Sequence, residues 1–403
     1  TKSATDLYHN CKTQIQHLSS LTQPVTLRCS NIINTEHSDS VNCTVIIENK
    51  FVATGSNDKT IKLYSLDTFE LLDVLEGHAD AVKCLTTFVV SASELQTTVP
   101  HHRAPGGDLI TLLISGDERS GATIYIWDIT PAIQSDSSQK DLHASFNMRS
   151  RLIGKLQHHS HAITCLLDME EGLTLLSGSY DSKICVWNLL KMRKMGQIEY
   201  HHSMISCLRL LACKTKFVSG SRDKKIGVWR IRYLEISGDS PLSKAQPRRI
   251  FEGCELEKTI ETDFPIIALN GFLTHPHWLL FADGINTLTV WDIDAAKVVK
   301  RFSCSGTNLV DLLLIEDQYQ RKFIVVGTCC NDDTLRVWES DFKYSPEEHC
   351  KEVLNAKDAI NLFSGTYGSS PKMQLFTKDR KLVLGIINNS RLNPIVSLWE
   401  IRA

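Results

Sequence analysis

Long apolar runs, paired cysteine motifs and a surplus of either charge are all missing from this 403-residue chain. No stretch approaches the roughly 18 consecutive apolar residues of a membrane helix, so no membrane partner is expected. Lys and Arg number 44 against 46 Asp and Glu, a formal net charge of -2. Such a balance exerts no global pull on nucleic acid or on an anionic surface. The thirteen Cys are an odd number and include no C-x-x-C pair, which argues against a disulfide framework and points to a reducing, intracellular compartment. The chain starts at Thr1, with no Met and no charged-then-apolar leader; the expectation is a piece of a longer polypeptide. Two glycosylation sequons, at Asn42 and Asn388, fall in strand or tight-loop sequence and carry little weight.

A chain of this length would ordinarily divide into two or three domains unless it is built of repeats. Repeats are present. Segments at Glu36 (EHSDSVNCTV), Gly77 (GHADAVKCL), His158 (HHSHAITCL) and His201 (HHSMISCL) share one plan. In each, a His stands four residues before an apolar residue and a Cys follows two residues later: Cys43, Cys84, Cys165 and Cys207. One Cys per unit at one position reads as a small buried hydrophobe. The apolar residues around it alternate, the period of a half-buried strand.

A second segment follows each of these: a strand, a tight Gly/Asn/Asp turn, and another alternating strand ending in an aromatic, a hairpin signature. The seven endings are Tyr64, Trp127, Trp187, Trp229, Trp291, Trp338 and Trp399. A short fourth strand follows most of them, as in ELLDVLEGH from Glu70. Four antiparallel strands per unit, repeated, make the blade of a propeller. On these motifs the chain, from about residue 22 to 403, resembles the WD-repeat β-propeller family. The resemblance implies an all-β, seven-bladed propeller of four-stranded antiparallel blades, its ring closed by an N-terminal strand from QPVTLRCS at Gln23, because the last unit ends at Trp399–Arg402 without a fourth strand of its own. Residues 1–21 stand apart as an N-terminal helical or linker segment. Leu7, Cys11, Ile15 and Leu18 recur there at helical spacing, which suits a short helix or the end of an upstream coiled coil.

Polar residues recur in register with the aromatics: His37, Thr54, Asp58 and Tyr64; His159, Ser177, Asp181 and Trp187; His201, Ser219, Asp223 and Trp229. Each set looks like a hydrolase triad, but a catalytic triad occurs once per site. In the family that the chain resembles, such a tetrad is a buried relay in which the turn Asp accepts from His, His meets the strand hydroxyl and the indole donates. The sets erode elsewhere. The second unit keeps His78, Ser115 and Trp127 with a lengthened turn that shifts Asp117. The sixth keeps Thr328, Asp332 and Trp338 but has Gly306 in place of His. The fifth and seventh keep little beyond Trp291 and Trp399, with Gly284 and Asn393 in their turns. Those blades are expected to rest on apolar packing.

No non-repeating nucleophile, paired acids or metal-ligand set appears, so no enzyme, cofactor or metal is expected. The clusters His158/His159/His161 and His275/His277 read as structural. Two features bear on partners. Three insertions, from Ser91, Thr130 and Glu235, follow strands running in one direction and so decorate one face. A basic run includes Arg209, Lys216, Arg222, Lys224 and Lys225. Arg222 holds the variable turn position, where phosphate-reading propellers of F-box proteins in the family place an Arg, and a guanidinium forks onto phosphate oxygens. The reading is therefore a non-catalytic protein-interaction scaffold or substrate-recognition module, including that of a ubiquitin ligase, directed at acidic or phosphorylated peptides. A structural subunit of a large assembly is the alternative, and a propeller enzyme the less favoured one. Nucleic acid is not expected, since the run lacks interleaved aromatics and lies near the acidic FEGCELEKTIETD.

Overall fold

The computed structural model describes residues 26–91, 109–118, 121–135, 150–169, 173–236, 248–285, 287–303, 309–317, 322–329, 335–341, 349–350, 352–355, 373–378, 381–388 and 394–402. The helical stripe expected over residues 1–21, most of the three insertions, and Gly306, Asp332, Asn393 and the Thr328 side chain lie outside the described residues.

Middle strands such as Phe51–Ser56 and Thr174–Ser179 are buried along their whole length, outer ones such as Arg193–Ile198 alternate, and seven sheets of these strands follow the chain in order. Blade 1 has its innermost strand at Val41–Ile47 and its outermost at Leu71–Leu75. The corresponding pairs are Val82–Ser91 and Arg151–Gln157 in blade 2, and Ile163–Asp168 and Arg193–Ile198 in blade 3. They are Ile205–Leu210 and Arg248–Glu261 in blade 4, and Leu309–Asp317 and Glu352–Asn355 in blade 6. Blade 5 runs from Ile266–Gly271 to Lys297–Ser303 and gains a fifth, parallel strand, His349–Cys350, beyond the four expected. The innermost strands touch in sequence around the ring, and that of blade 7, Met373–Lys378, meets that of blade 1.

Closure follows from the unpaired edge that blade 7 would otherwise expose. Its third strand, Ile395–Arg402, pairs antiparallel with Thr26–Asn34, from Thr26 opposite Arg402 to Asn34 opposite Ile395. Ile33 is buried there with Val396 and Leu398.

Two repeated contacts join neighbouring blades. The first is steric. A Cβ on Gly55, Gly116, Gly178 or Gly220 would stand 2.7–2.9 Å from Cys43, Cys84, Cys165 or Cys207 and 2.6–2.9 Å from Val82, Ile163, Ile205 or Ile266 of the next blade. Glycine thus lets each blade accept the following one. In blade 5 the pair becomes Ala268 opposite Ala282, two alanines replacing a Cys and a Gly. The second contact is polar. The innermost strands are bulged just before each Cys position, and bulges leave ladder groups unpaired. The side chain at the bulge donates to a carbonyl of the next blade: Asn42 to Val82 at 2.9 Å, Thr164 to Ile205 at 2.6 Å, Ser206 to Ile266 at 2.6 Å. Asn42, 5 % exposed and using its amide nitrogen for this bond, is unsuited to glycosylation.

Among the residues whose side chains are described, eight cysteines stand in no disulfide, and burial pushes the Cys207 thiol far above its ordinary value. No described helix is long and apolar enough to cross a membrane.

The steric contact yields a prediction. Gly220→Ala overpacks the seam between blades 4 and 5 and should cost about 1–3 kcal/mol. Gly196→Ala, where nothing lies within 4 Å, should change stability by no more than about 0.5 kcal/mol. Paired denaturation curves compare the two.

Candidate functional site

The tetrads form where the second and third strands turn back. In blade 3, His159 meets Asp181 at 2.9 Å through Nδ1 and Ser177 at 2.7 Å through Nε2, and the Trp187 indole donates to Ser177 Oγ at 2.7 Å. Because the hydroxyl accepts from the indole, its own proton goes to Nε2, and Nδ1–H donates to the carboxylate. Blade 4 repeats this, with His201 to Asp223 at 2.9 Å and to Ser219 at 2.8 Å, and Trp229 to Ser219 at 2.9 Å. In blade 1, His37 joins Asp58 at 2.7 Å and Thr54 at 2.9 Å, while the Tyr64 hydroxyl donates instead to the Thr35 carbonyl. Ser177 and Ser219 are fully buried, so no substrate reaches these hydroxyls, and the same bonds serve rigidity.

Each Asp also accepts backbone amides: Ser160 and Lys183 for Asp181, His202 and Lys225 for Asp223, Ser38 and Thr60 for Asp58. Burial pushes the Asp181 carboxyl up, but His159 and the amides outweigh it and hold the group at about 2. Asp58 and Asp223 are lowered by the same balance. A set the sequence reading missed completes the turn. Ser56, Ser179 and Ser221 each accept the amide of the Asp two residues on and donate to the loop carrying the His. Their signal was the Gly-Ser pair that opens each turn.

The eroded blades find other solutions. In blade 2, His78 bonds Ser115 at 2.7 Å and Trp127 reaches the same hydroxyl at 2.9 Å. Asp117 turns away to cap the Thr123 amide. The Tyr125 ring lies tilted against His78, ring centroids 3.9 Å apart, and its hydroxyl accepts from the Ala79 amide, whose counterpart in other blades bonds the Asp. His78 Nδ1 is buried without a partner, and burial, helped by the positive field of Lys155, lowers its pKa to about 3. In blade 5, Asp283 caps its turn by accepting from Ile285 and Thr287, a role the sequence reading assigned to no residue. In blade 7, Trp399 donates to Ser397 of its own strand.

The basic residues do not form one patch, because strand alternation and the sheet's width scatter them. Lys216 bonds Glu257 at 2.8 Å, Arg230 the same carboxylate at 3.1 Å, and Arg232 meets Glu255 at 2.6 Å. Lys225 lies 3.7 Å from Glu261. The acidic outer strand thus neutralises much of the run. Arg209 lies in the central channel and donates to the Leu269 carbonyl of blade 5. Arg222 and Lys224 remain on the turn, both exposed. The channel, about 450 Å³, has Lys83, Arg209, Arg222, Glu118, Asp311 and Tyr180 among its walls. Arg222 also borders a shallow groove between blades 3 and 4 with Tyr180, His202, Ser203 and Met204. No group of three or more His, Cys, Asp or Glu able to hold a metal occurs among the described residues.

Ser177→Ala strands the indole of Trp187 and should cost about 1–3 kcal/mol. Acid should act in two windows. Unfolded His protonates near 6.5, whereas native His78 resists until about 3, so stability declines as pH falls through that interval. The tetrad carboxylates contribute fully above about 4, and that contribution is lost as pH drops toward about 2 for Asp181. Melting temperatures from pH 7 to 4 should therefore fall less for His78→Gln than for the unaltered chain.

The family model described as WD domain, G-beta repeat matches residues 28–65, 150–188 and 193–230. Each match begins with the outer strand of one blade and continues through the first three strands of the next, the offset that leaves Thr26–Asn34 to complete blade 7. An uncharacterised WD repeat-containing protein of Schizosaccharomyces pombe is 28% identical over 143 residues, 36% of this chain and 29% of that protein. U3 small nucleolar RNA-associated protein 15 of the same organism is 27% identical over 157 residues, 34% of this chain and 28% of its own. Cell division control protein 4 of Candida albicans is 24% identical over 191 residues, 38% of this chain and 27% of its own. The chain thus spans under a third of the length of these curated relatives. The crystal structure of the WD40 β-propeller domain of Doa1 superposes with a TM-score of 0.56 at 16% identity, covering 93% of this chain and 96% of that one. The chain thus folds as a closed β-propeller and carries the WD, G-beta repeat in three matched stretches.

Proposed function

We propose that the ring is a protein-binding platform whose channel mouth, at the turns of blades 3 and 4, receives an acidic or phosphorylated peptide. Propellers of this family generally mediate protein interactions, and one observation favours this mouth. Arg222 is exposed, makes no side-chain hydrogen bond or ion pair among the described residues, and borders both the channel and the groove. Its neighbours suit a peptide. Tyr180 is half exposed and offers a flat apolar surface, while Ser203 and His202 add polar groups. Lys224 adds positive charge on the same turn.

The turn beneath Arg222 is held by Asp223 and Ser221, so little order has to be created on binding. Lys225, Lys216 and Arg209, each engaged elsewhere, have supporting electrostatic roles at most. Among the relatives, one is named for control of cell division and another for association with a small nucleolar RNA. The peptide reading fits the first more naturally, since Glu255, Glu257 and Glu261 break up the basic surface that RNA would need. The absence of a disulfide among the described cysteines supports a reducing, intracellular setting.

A pool of random peptides with a fixed central phosphoserine, beside its unphosphorylated counterpart, tests this reading. Retention should favour the phosphorylated pool at least tenfold, fall with added inorganic phosphate, and disappear in Arg222→Glu. Equal retention of both pools, or an unchanged profile in the variant, removes the mouth as the site.

A further inference from the structure

The hairpin of blade 4 is longer than the blade that carries it. Its third and outer strands, Lys225–Ile236 and Arg248–Glu261, pair from Lys225 opposite Glu261 to Ile236 opposite Arg248. The second strand accompanies them only as far as Lys216 opposite Arg230, and the last link inward is the Ile231 amide to the Thr215 carbonyl, 2.8 Å. Beyond that point the hairpin continues as a two-stranded ribbon with no described strand on either side. It projects from the end of the ring opposite the Arg222 turn.

A free two-stranded ribbon is marginal in water, yet this one is fixed at its root. Ile231 and Phe251 are buried in the core of blades 3 and 4, and the Tyr233 hydroxyl donates to the Lys214 carbonyl at 3.1 Å. A bulge between Arg232 and Tyr233 turns the ribbon there, after which the ladder runs regularly from Tyr233 opposite Phe251 to Ile236 opposite Arg248. Strand alternation then sends Arg232 and Leu234 outward. Leu234 is 55 % exposed, the most of any large apolar side chain described. Natural edges are usually blunted by charged side chains, above all Lys, by Pro or by a covering element; Tyr233–Ile236 has no Lys or Pro and a single charged residue, Glu235. The surroundings lean positive. On the same end of neighbouring blade 3, Lys191 and Arg193 are exposed and have no side-chain partner among the described residues, while Glu257 is already shared by Lys216 and Arg230.

We infer that this ribbon receives an extended segment of a partner protein, rich in alternating acidic and apolar residues, by strand addition. The backbone ladder supplies the main bonding, alternate apolar side chains cover Leu234, and the carboxylates answer the local excess of cations. The site is separate from the channel mouth and does not depend on it, so one ring can hold two different segments at once.

Selection of phage-displayed random octapeptides on the full chain tests the inference. Enriched sequences should alternate acidic and apolar residues. Their synthetic forms should lose at least tenfold in affinity on Leu234→Asp, on the double reversal Lys191→Glu with Arg193→Glu, and when alternate peptide amides are N-methylated. Arg222→Glu should leave them unaffected, which separates this site from the mouth. Leu234 is solvent-exposed, so its replacement should spare the fold, and an unchanged melting curve checks this. No enrichment, binding indifferent to Leu234→Asp, or full binding by the N-methylated peptide overturns the inference. So does a dimer of this chain that Leu234→Asp dissolves, which would make a second copy the occupant.

Discussion

Four times around the ring, a glycine in one strand allows a cysteine of the same blade and a branched residue of the next to close to van der Waals range. Much else rests on this approach. It sets the pitch at which innermost strands follow one another and brings the bulge side chains Asn42, Thr164 and Ser206 within reach of the neighbouring carbonyls. Those bonds satisfy backbone acceptors that the bulges would leave unpaired in a buried wall. Apolar fit and polar satisfaction at the seam are thus two outcomes of one spacing. Blade 5 keeps the spacing with different residues, Ala268 and Ala282, and tolerates the loss of the tetrad histidine above it.

The seam connects to the surface that carries Arg222 through the tetrads. In blade 4, Ile205 packs against Gly178 of blade 3, and four residues earlier His201 enters its relay to Asp223. Asp223 and Ser221 then fix the turn between them, and Arg222 is the residue between those two. An Arg on a floppy loop would lose much of its binding energy to ordering. Here the cost was met at folding, by groups that in another setting would be a nucleophile and its base. Burial decides between the two uses, since a hydroxyl closed off beneath an indole can hold a turn but cannot meet a substrate.

The repeats were legible because every blade spells the same physical problem in nearly the same letters. His, Cys, Gly and Trp recur at positions where spacing, close approach and indole donation each require them. The basic run from Arg209 to Arg232 was harder, because proximity in sequence is a poor guide across a sheet. Its residues lie on the first three strands of the blade and the two turns between them, and their acidic partners Glu255 and Glu257 arrive from the outer strand, some twenty residues further on. Blade 2 was harder still. Loss of the turn carboxylate could be read from the lengthened turn, but its replacement by Tyr125 depends on a neighbouring strand position that holds Lys62, Cys185 and Gly227 in other blades. Only the register shows that a tyrosine there reaches the vacated amide of Ala79.

A closed ring separates its two ends mechanically. Strands running between them are held on both sides, so a side chain or insertion added at one end costs the other little. The distribution of surface groups follows that freedom. At the end bearing the tetrad turns, polar relays hold short loops and one unpaired guanidinium stands among them. At the opposite end lie the roots of all three insertions, the overlong hairpin of blade 4, and the exposed apolar residues Val89, Leu109, Leu234 and Leu273. Neither chemistry could be spread through both ends without conflict. The relays need short, fixed turns, while protruding strands need length and free backbone. Dividing the tasks between opposite faces lets a single rigid body carry an exposed guanidinium on short, fixed turns at one end and a protruding two-stranded ribbon at the other.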